Sequence, residues 1–271
     1  VNVSRVLFLL LLTGCGSAPE PADRLLAAVS VAPQAEIVRR IAGDRVAVET
    51  LVAPGASDED LTLSPRKALA LARIRLYVKV GHPAYALEAR YVDPFLARHP
   101  GIRVVDMSRG MDLDPGDPHV WTAPAALKVA ARNVAAALSG IDPPHAAEYR
   151  ANLERYLADL DRLDREVRAR LAGGQQAFLV YHPSWGYFAR QYGLEQIAIE
   201  AEGKEPGAAS LIGMIERARQ RQARVVLVPW PRESAQVIAD EIHGRIVVAD
   251  PLSPDCEVTL LRVAGALGGE P

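Results

Sequence analysis

The sequence predicts an α/β protein of two lobes, each a mostly parallel sheet flanked by helices, joined by one long backbone helix. Three observations carry this prediction. Short β-branched apolar runs alternate with helical patterns, as in βαβ units with parallel strands. The alternation occurs twice, once before residue 142 and once after residue 173. Between the two, from Pro143-Pro144 to Gly173-Gly174, the chain has no interior proline or glycine, and Tyr149, Leu153, Tyr156, Leu157, Leu160, Leu163, Val167 and Leu171 recur at helical spacing.

The first lobe opens with an apolar run at residues 25–31. A helical pattern follows at Ile37, Val38 and Ile41, stopped by Gly43-Asp44, and then a strand at 46–52. A short helix is expected at 65–72, a buried strand at 74–80 ending in Gly81-His82-Pro83, a helix at 85–96 and a strand at 102–106. An amphipathic helix at 124–138 closes this half. The linking helix has prolines at its start and glycines just past its end, as helix termini prefer. About 30 residues at 1.5 Å each make a rod of roughly 45 Å, long enough to run along both lobes. The second lobe repeats the plan, with strands at 177–181, 194–199, 225–228 and 245–249 and helices at 185–192, 211–222, 234–243 and 258–267. The expected boundaries are 24–141 for the first lobe, 142–173 for the spine and 174–271 for the second lobe.

The first residues read as an export signal. Arg5 precedes an apolar run at 6–12, followed by Leu12-Thr13-Gly14-Cys15. A basic start, a short apolar core and small residues at a cut site make a secretory signal, and the run is far short of the about 20 residues that span a bilayer. Leu-Thr-Gly before a cysteine resembles a bacterial lipobox, so residues 1–15 are expected to be a lipoprotein signal with Cys15 acylated, and residues 16–23 a flexible tether. With Cys15 consumed, Cys256 has no disulfide partner; it reads as a small buried residue, with a thiol ligand as the alternative. The composition, 49% hydrophobic and 24% charged, is that of a folded soluble protein, and a net charge of -2 gives no support for a nucleic-acid partner.

Four polar residues follow the ends of strand runs: Glu59, His119, His182 and Asp250, two in each half. Open α/β sheets place ligand crevices there, so a cleft between the lobes could collect all four around one metal ion. Imidazole and carboxylate together suit zinc, manganese or iron. His82, at another strand end, is a substitute donor, as are Asp58 and Asp60 beside Glu59. Glu200, Glu202 and Glu205 read as a solvated turn, with a cation site as the alternative. Trp121, Trp185 and Trp230 could shield a metal or simply pack. There is no His-Glu-x-x-His string and no Gly-x-Ser-x-Gly elbow to favour a hydrolase.

Asp117-Pro118-His119-Val120-Trp121, Tyr181-His182-Pro183-Ser184-Trp185-Gly186-Tyr187-Phe188 and Ala249-Asp250-Pro251-Leu252, with Tyr192-Gly193-Leu194 and Gly203-Lys204-Glu205-Pro206, resemble the cluster A-I solute-binding proteins of zinc and manganese ABC transporters. The resemblance spans nearly the whole mature chain, spine included. It implies a binding protein and no enzyme: an extracytoplasmic, lipid-anchored monomer that delivers a divalent metal to a permease and its ATPase. The setting would be the periplasm of a didermic bacterium or the surface of a monodermic one. It also implies four ligand loops, the last three matching His119, His182 and Asp250. The first loop departs from the family, because Glu59 stands where a histidine is usual. Residues 107–116 lack the His-rich insert of many zinc-specific relatives. Zinc is the expected cargo, with manganese or iron(II) as alternatives.

Overall fold

The computed structural model describes residues 24–52, 65–200 and 207–269. The first lobe runs β1 (Leu25–Val29), α1 (Ala32–Ala42), β2 (Val46–Thr50), α2 (Pro65–Leu71), β3 (Leu76–Lys79), α3 (Asp93–Ala97) and β4 (Arg103–Asp106). Two helices follow, α4 (Pro124–Ile141) and α5 (Ala146–Leu171). The second lobe runs β5 (Ala177–Val180), α6 (Gly186–Tyr192), β6 (Glu195–Ala198), α7 (Ala208–Gln220), β7 (Val225–Val228), α8 (Glu233–Glu241), β8 (Arg245–Val248) and α9 (Cys256–Gly268). Both sheets have four strands, all parallel, in the orders β2-β1-β3-β4 and β6-β5-β7-β8. This is the predicted fold class, with the same plan used twice.

In each sheet the strand order reverses beside its first strand, between β1 and β3 and between β5 and β7. Such a switch point opens a crevice outside the carboxyl ends of the strands. His82 lies just past β3 and His182 just past β5, so the chain delivers both to crevice mouths.

Strands buried on both faces explain why the runs are continuously apolar. In the second sheet Phe178, Val180, Val225 and Leu227 face a core shared with the spine and the first lobe. Their neighbours Leu179, Val226 and Val228 face α7 and α8, where Ala218, Ala235 and Ile238 cover them. Successive strand residues point to opposite faces, and each face here has its own helical layer.

The spine α5 has 26 residues, ~39 Å at 1.5 Å each, after a tight turn at Pro143–His145. Its buried stripe is Tyr149, Asn152, Tyr156, Leu160, Leu163 and Val167, and it packs on α1 and α4 of one lobe and α9 of the other. Asn152, the polar member, donates to the Ile41 carbonyl at 2.8 Å and so leaves no buried amide unused. At the far end the backbones of α5 and α9 touch: a Cβ on Gly268 would lie 1.8 Å from the Arg170 carbonyl oxygen. Only glycine allows that approach.

One element differs from the prediction. The run at 85–96 is not a single α-helix; residues Glu88–Val92 are π-helical and lead into the short α3. Pro94 has no N–H to give to the carbonyl one turn back, so the regular ladder cannot pass through it. The wider turn presents Glu88 inward, where it is buried.

Candidate metal centre

His119 is set by a proline turn. Pro118 stiffens the backbone, and Asp117 folds back so that its Oδ1 accepts the His119 N–H at 2.9 Å. The same oxygen accepts the imidazole Nδ1–H at 2.7 Å, and both side chains are buried. With Nδ1 carrying the proton, the lone pair is on Nε2. Trp121 packs its ring edge-on to His119 at 5.4 Å between centroids and donates its indole N–H to the Pro251 carbonyl at 2.8 Å. That bond ties the His119 turn of the first lobe to the Asp250 loop of the second.

Asp250 repeats the device. It too precedes a proline, and its Oδ1 accepts the N–H two residues on, from Leu252, at 2.8 Å. His182 extends from β5 with its side chain 33% exposed, and its backbone carbonyl accepts the Ser184 N–H at 2.8 Å. Glu200, just past β6, faces the His182 Nδ1 at 3.6 Å with 14% exposure, which is beyond hydrogen-bond length.

The decisive juxtaposition crosses the lobes. The rings of His119 and His182 lie 5.3 Å apart, centroid to centroid, at an interplanar angle of 77°. Two imidazoles bound to one tetrahedral zinc, each nitrogen about 2.0–2.1 Å from the ion, have ring centres ~5 Å apart. The pair therefore has the spacing of two ligands on a single ion. Among the described residues no larger group of His, Cys, Asp or Glu converges in ligating geometry. Glu59 lies outside them, as do Asp58, Asp60, Glu202 and Glu205.

His82 does not join the pair. Its Nδ1 accepts the Ala84 N–H at 3.1 Å, and its Nε2 then donates to the Asp114 carbonyl at 2.8 Å. Both ring nitrogens are thus engaged, and the ring braces the loop that carries Asp117 and His119. Cys256 is buried among apolar side chains, with its thiol pushed well above the usual range, first by burial and then by the Glu36 carboxylate. It fills the place of a small buried residue in the core. Of the tryptophans, Trp121 and Trp185 are buried and Trp230 is exposed beneath the Arg232 guanidinium. The sequence reading passed over Asp117, although an aspartate before a proline and two residues before a histidine has the pattern of a side chain that caps its own turn.

The zinc-uptake complex component A periplasmic family model matches residues 28–259. The chain belongs to this family. It shares 26% identity over 262 residues with the high-affinity zinc uptake system protein ZnuA of Bacillus subtilis, covering 88% of this chain and 81% of that protein. A crystal structure of ZnuA superposes with a TM-score of 0.84 at 33% identity, covering 91% of this chain and 98% of that one. A ZnuA deletion mutant solved with zinc bound gives 0.84 at 32% identity, covering 92% and 98%. Zinc-uptake component A proteins are extracytoplasmic metal-binding components that work with an ABC permease and ATPase, and this chain is one of them. Membership sets aside the hydrolase reading.

Proposed function

We propose that the protein captures one zinc ion between its lobes and hands it to the permease of its transporter. The observation that supports this reading is the His119–His182 pair, one imidazole from each lobe at the spacing of two ligands on one ion. In this reading residues 24–141 and 174–271 are the two jaws, and 142–173 is the spine that holds them. On the same reading Asp250, which does not group with the pair in this structure, and Glu59 supply the remaining donors when the ion binds, two oxygens to go with two nitrogens. Four protein donors leave no open position for an activated water, which is what a carrier requires and a hydrolase cannot use. A carboxylate in the first loop makes the set harder than three imidazoles and one carboxylate, so manganese and iron(II) are the ions against which zinc must compete.

Competitive titration of the apo-protein with zinc, manganese and iron(II), followed by metal analysis, tests the cargo. One zinc per monomer retained in the presence of both rivals is expected; retention of manganese or iron(II) in its place overturns zinc. No helix of the described residues is long and apolar enough to cross a membrane. Anchoring in this reading comes from acylation of Cys15, which lies outside those residues. Cys15→Ala should yield an unacylated product in the aqueous fraction after detergent phase separation. Continued partition into membranes would remove the lipid anchor from the reading.

A further inference from the structure

We propose that Asp117 is the positioning residue of the metal grip: it aims His119 at the cleft and seats the loop that carries His182. The proposal rests on the metal-binding reading above. Its first half is the bond already described. Both donors of His119, the backbone N–H and the Nδ1–H, converge on one oxygen, Oδ1, at 2.9 and 2.7 Å. A ring held at its Nδ1 cannot rotate, and its proton cannot move to Nε2 without breaking that bond. Carboxylates placed behind a ligand imidazole in this way fix its tautomer and ring orientation.

The second half concerns the other oxygen. Asp117 Oδ2 is buried and has no hydrogen-bond partner. It lies against Gly186, where a Cβ would approach it to 2.4 Å. Gly186 is four residues after His182 and begins α6, so the carboxylate of one lobe is packed on the segment that leaves the histidine of the other. Trp185 and Tyr187, on either side of Gly186, are buried in the shared core, and the Tyr187 hydroxyl accepts the Asp114 N–H at 3.0 Å. These contacts leave the segment little freedom to retreat. The absence of a side chain at Gly186 is therefore the condition for Asp117 to hold its place.

Asp117 is not itself a donor to the metal in this arrangement. Oδ1 is occupied by His119, and Oδ2 faces backbone. Glu200 stands in a comparable place behind His182 but at 3.6 Å, too far to hold that ring. The two histidines are thus set unequally, the first locked and the second resting on its loop and on the Asp117–Gly186 contact.

The test measures zinc affinity with a chelating dye as competitor in four variants, and the imidazole tautomer of His119 by ¹⁵N–¹H correlation in the apo-protein. Asp117→Ala should weaken zinc about 10–100-fold, the usual cost of losing an outer-shell partner, and move His119 from Nδ1–H towards Nε2–H. Asp117→Asn keeps an acceptor oxygen and should restore the Nδ1–H form and most of the affinity. Gly186→Ala should weaken zinc at least tenfold by displacing the carboxylate. His119→Ala is the control for the underlying reading. If it loses zinc while Asp117→Ala binds as tightly as the native chain with the tautomer unchanged, the positioning role is overturned. If His119→Ala also keeps native affinity, the metal site itself is misassigned. Should Asp117→Ala fail to fold, Gly186→Ala decides, and native affinity there overturns the proposal.

Discussion

The double variant His119→Ala, His182→Ala is expected to lose stoichiometric zinc after desalting. Structural zinc sites are worth about 10–16 kcal/mol in apparent binding free energy, or roughly 3 kcal/mol for each of four donors. Removing two nitrogens should therefore weaken binding about ten-thousandfold and leave two carboxylates that water can displace. The change is local to the site. His182 is a third exposed, and the turn at His119 is held by its backbone N–H to Asp117 and by the Thr122 hydroxyl donating to the His119 carbonyl at 2.9 Å, neither of which needs an imidazole. Metal analysis of the dialysed variant, beside a circular dichroism spectrum matching the native one, checks the result. Unchanged stoichiometry would place the zinc elsewhere.

The same histidines show what the sequence could and could not reveal. That His119 and His182 would come together was legible because each follows a β-branched run, and strand ends of a parallel sheet face one crevice. The spine was legible because Pro143 and Gly173 punctuate a stretch with unbroken helical spacing. Other features depend on partners far along the chain. His82 looked like a spare ligand, since nothing nearby in sequence predicts that the Asp114 carbonyl, 32 residues on, takes up its Nε2. Asp117 is a two-residue neighbour of His119, yet its second contact, with Gly186, exists only once the lobes meet. The π-helical turn at Glu88–Val92 was hidden for a different reason. Its apolar spacing suits an ordinary helix, and the break shows only when the missing Pro94 N–H is counted.

That turn leads to the second large expected effect, on stability: Glu88→Ala should cost the apo-protein ~3 kcal/mol or more. Glu88 stands at the strand-end crevice between β1 and β3, where a doubly wound sheet would otherwise admit a ligand. One carboxylate oxygen accepts the Val80 N–H at 2.6 Å and the Ser30 hydroxyl; the other accepts the Gly81 N–H at 3.0 Å. Gln34 completes the network by accepting the Ser30 and Val31 N–H groups and donating to the Val78 carbonyl. Alanine would take the acceptor from the buried Val80 N–H and the part-buried Gly81 N–H and leave the Ser30 hydroxyl only the Tyr77 hydroxyl at 3.0 Å, at ~1–3 kcal/mol for each group left unsatisfied. The loss should also depend on pH. Burial raises the Glu88 carboxyl above 4.5, with Ser30, the two N–H groups and Lys79 only partly opposing it. A raised folded-state value means that the folded chain holds the proton more tightly than the unfolded chain. The contribution is then complete below about pH 4.5 and is lost as pH rises through the folded value. Glu36 is raised for the same reason and remains in the variant. Asp142 and Asp164 are shifted the other way, so their contributions fall away only in stronger acid. The gap in denaturation midpoint between the native chain and Glu88→Ala should therefore be wider at pH 5 than at pH 7. An equal gap at the two pH values would mean that the folded chain binds no more protons at Glu88 than the unfolded chain does, so that the crevice carboxylate is ionised across that window.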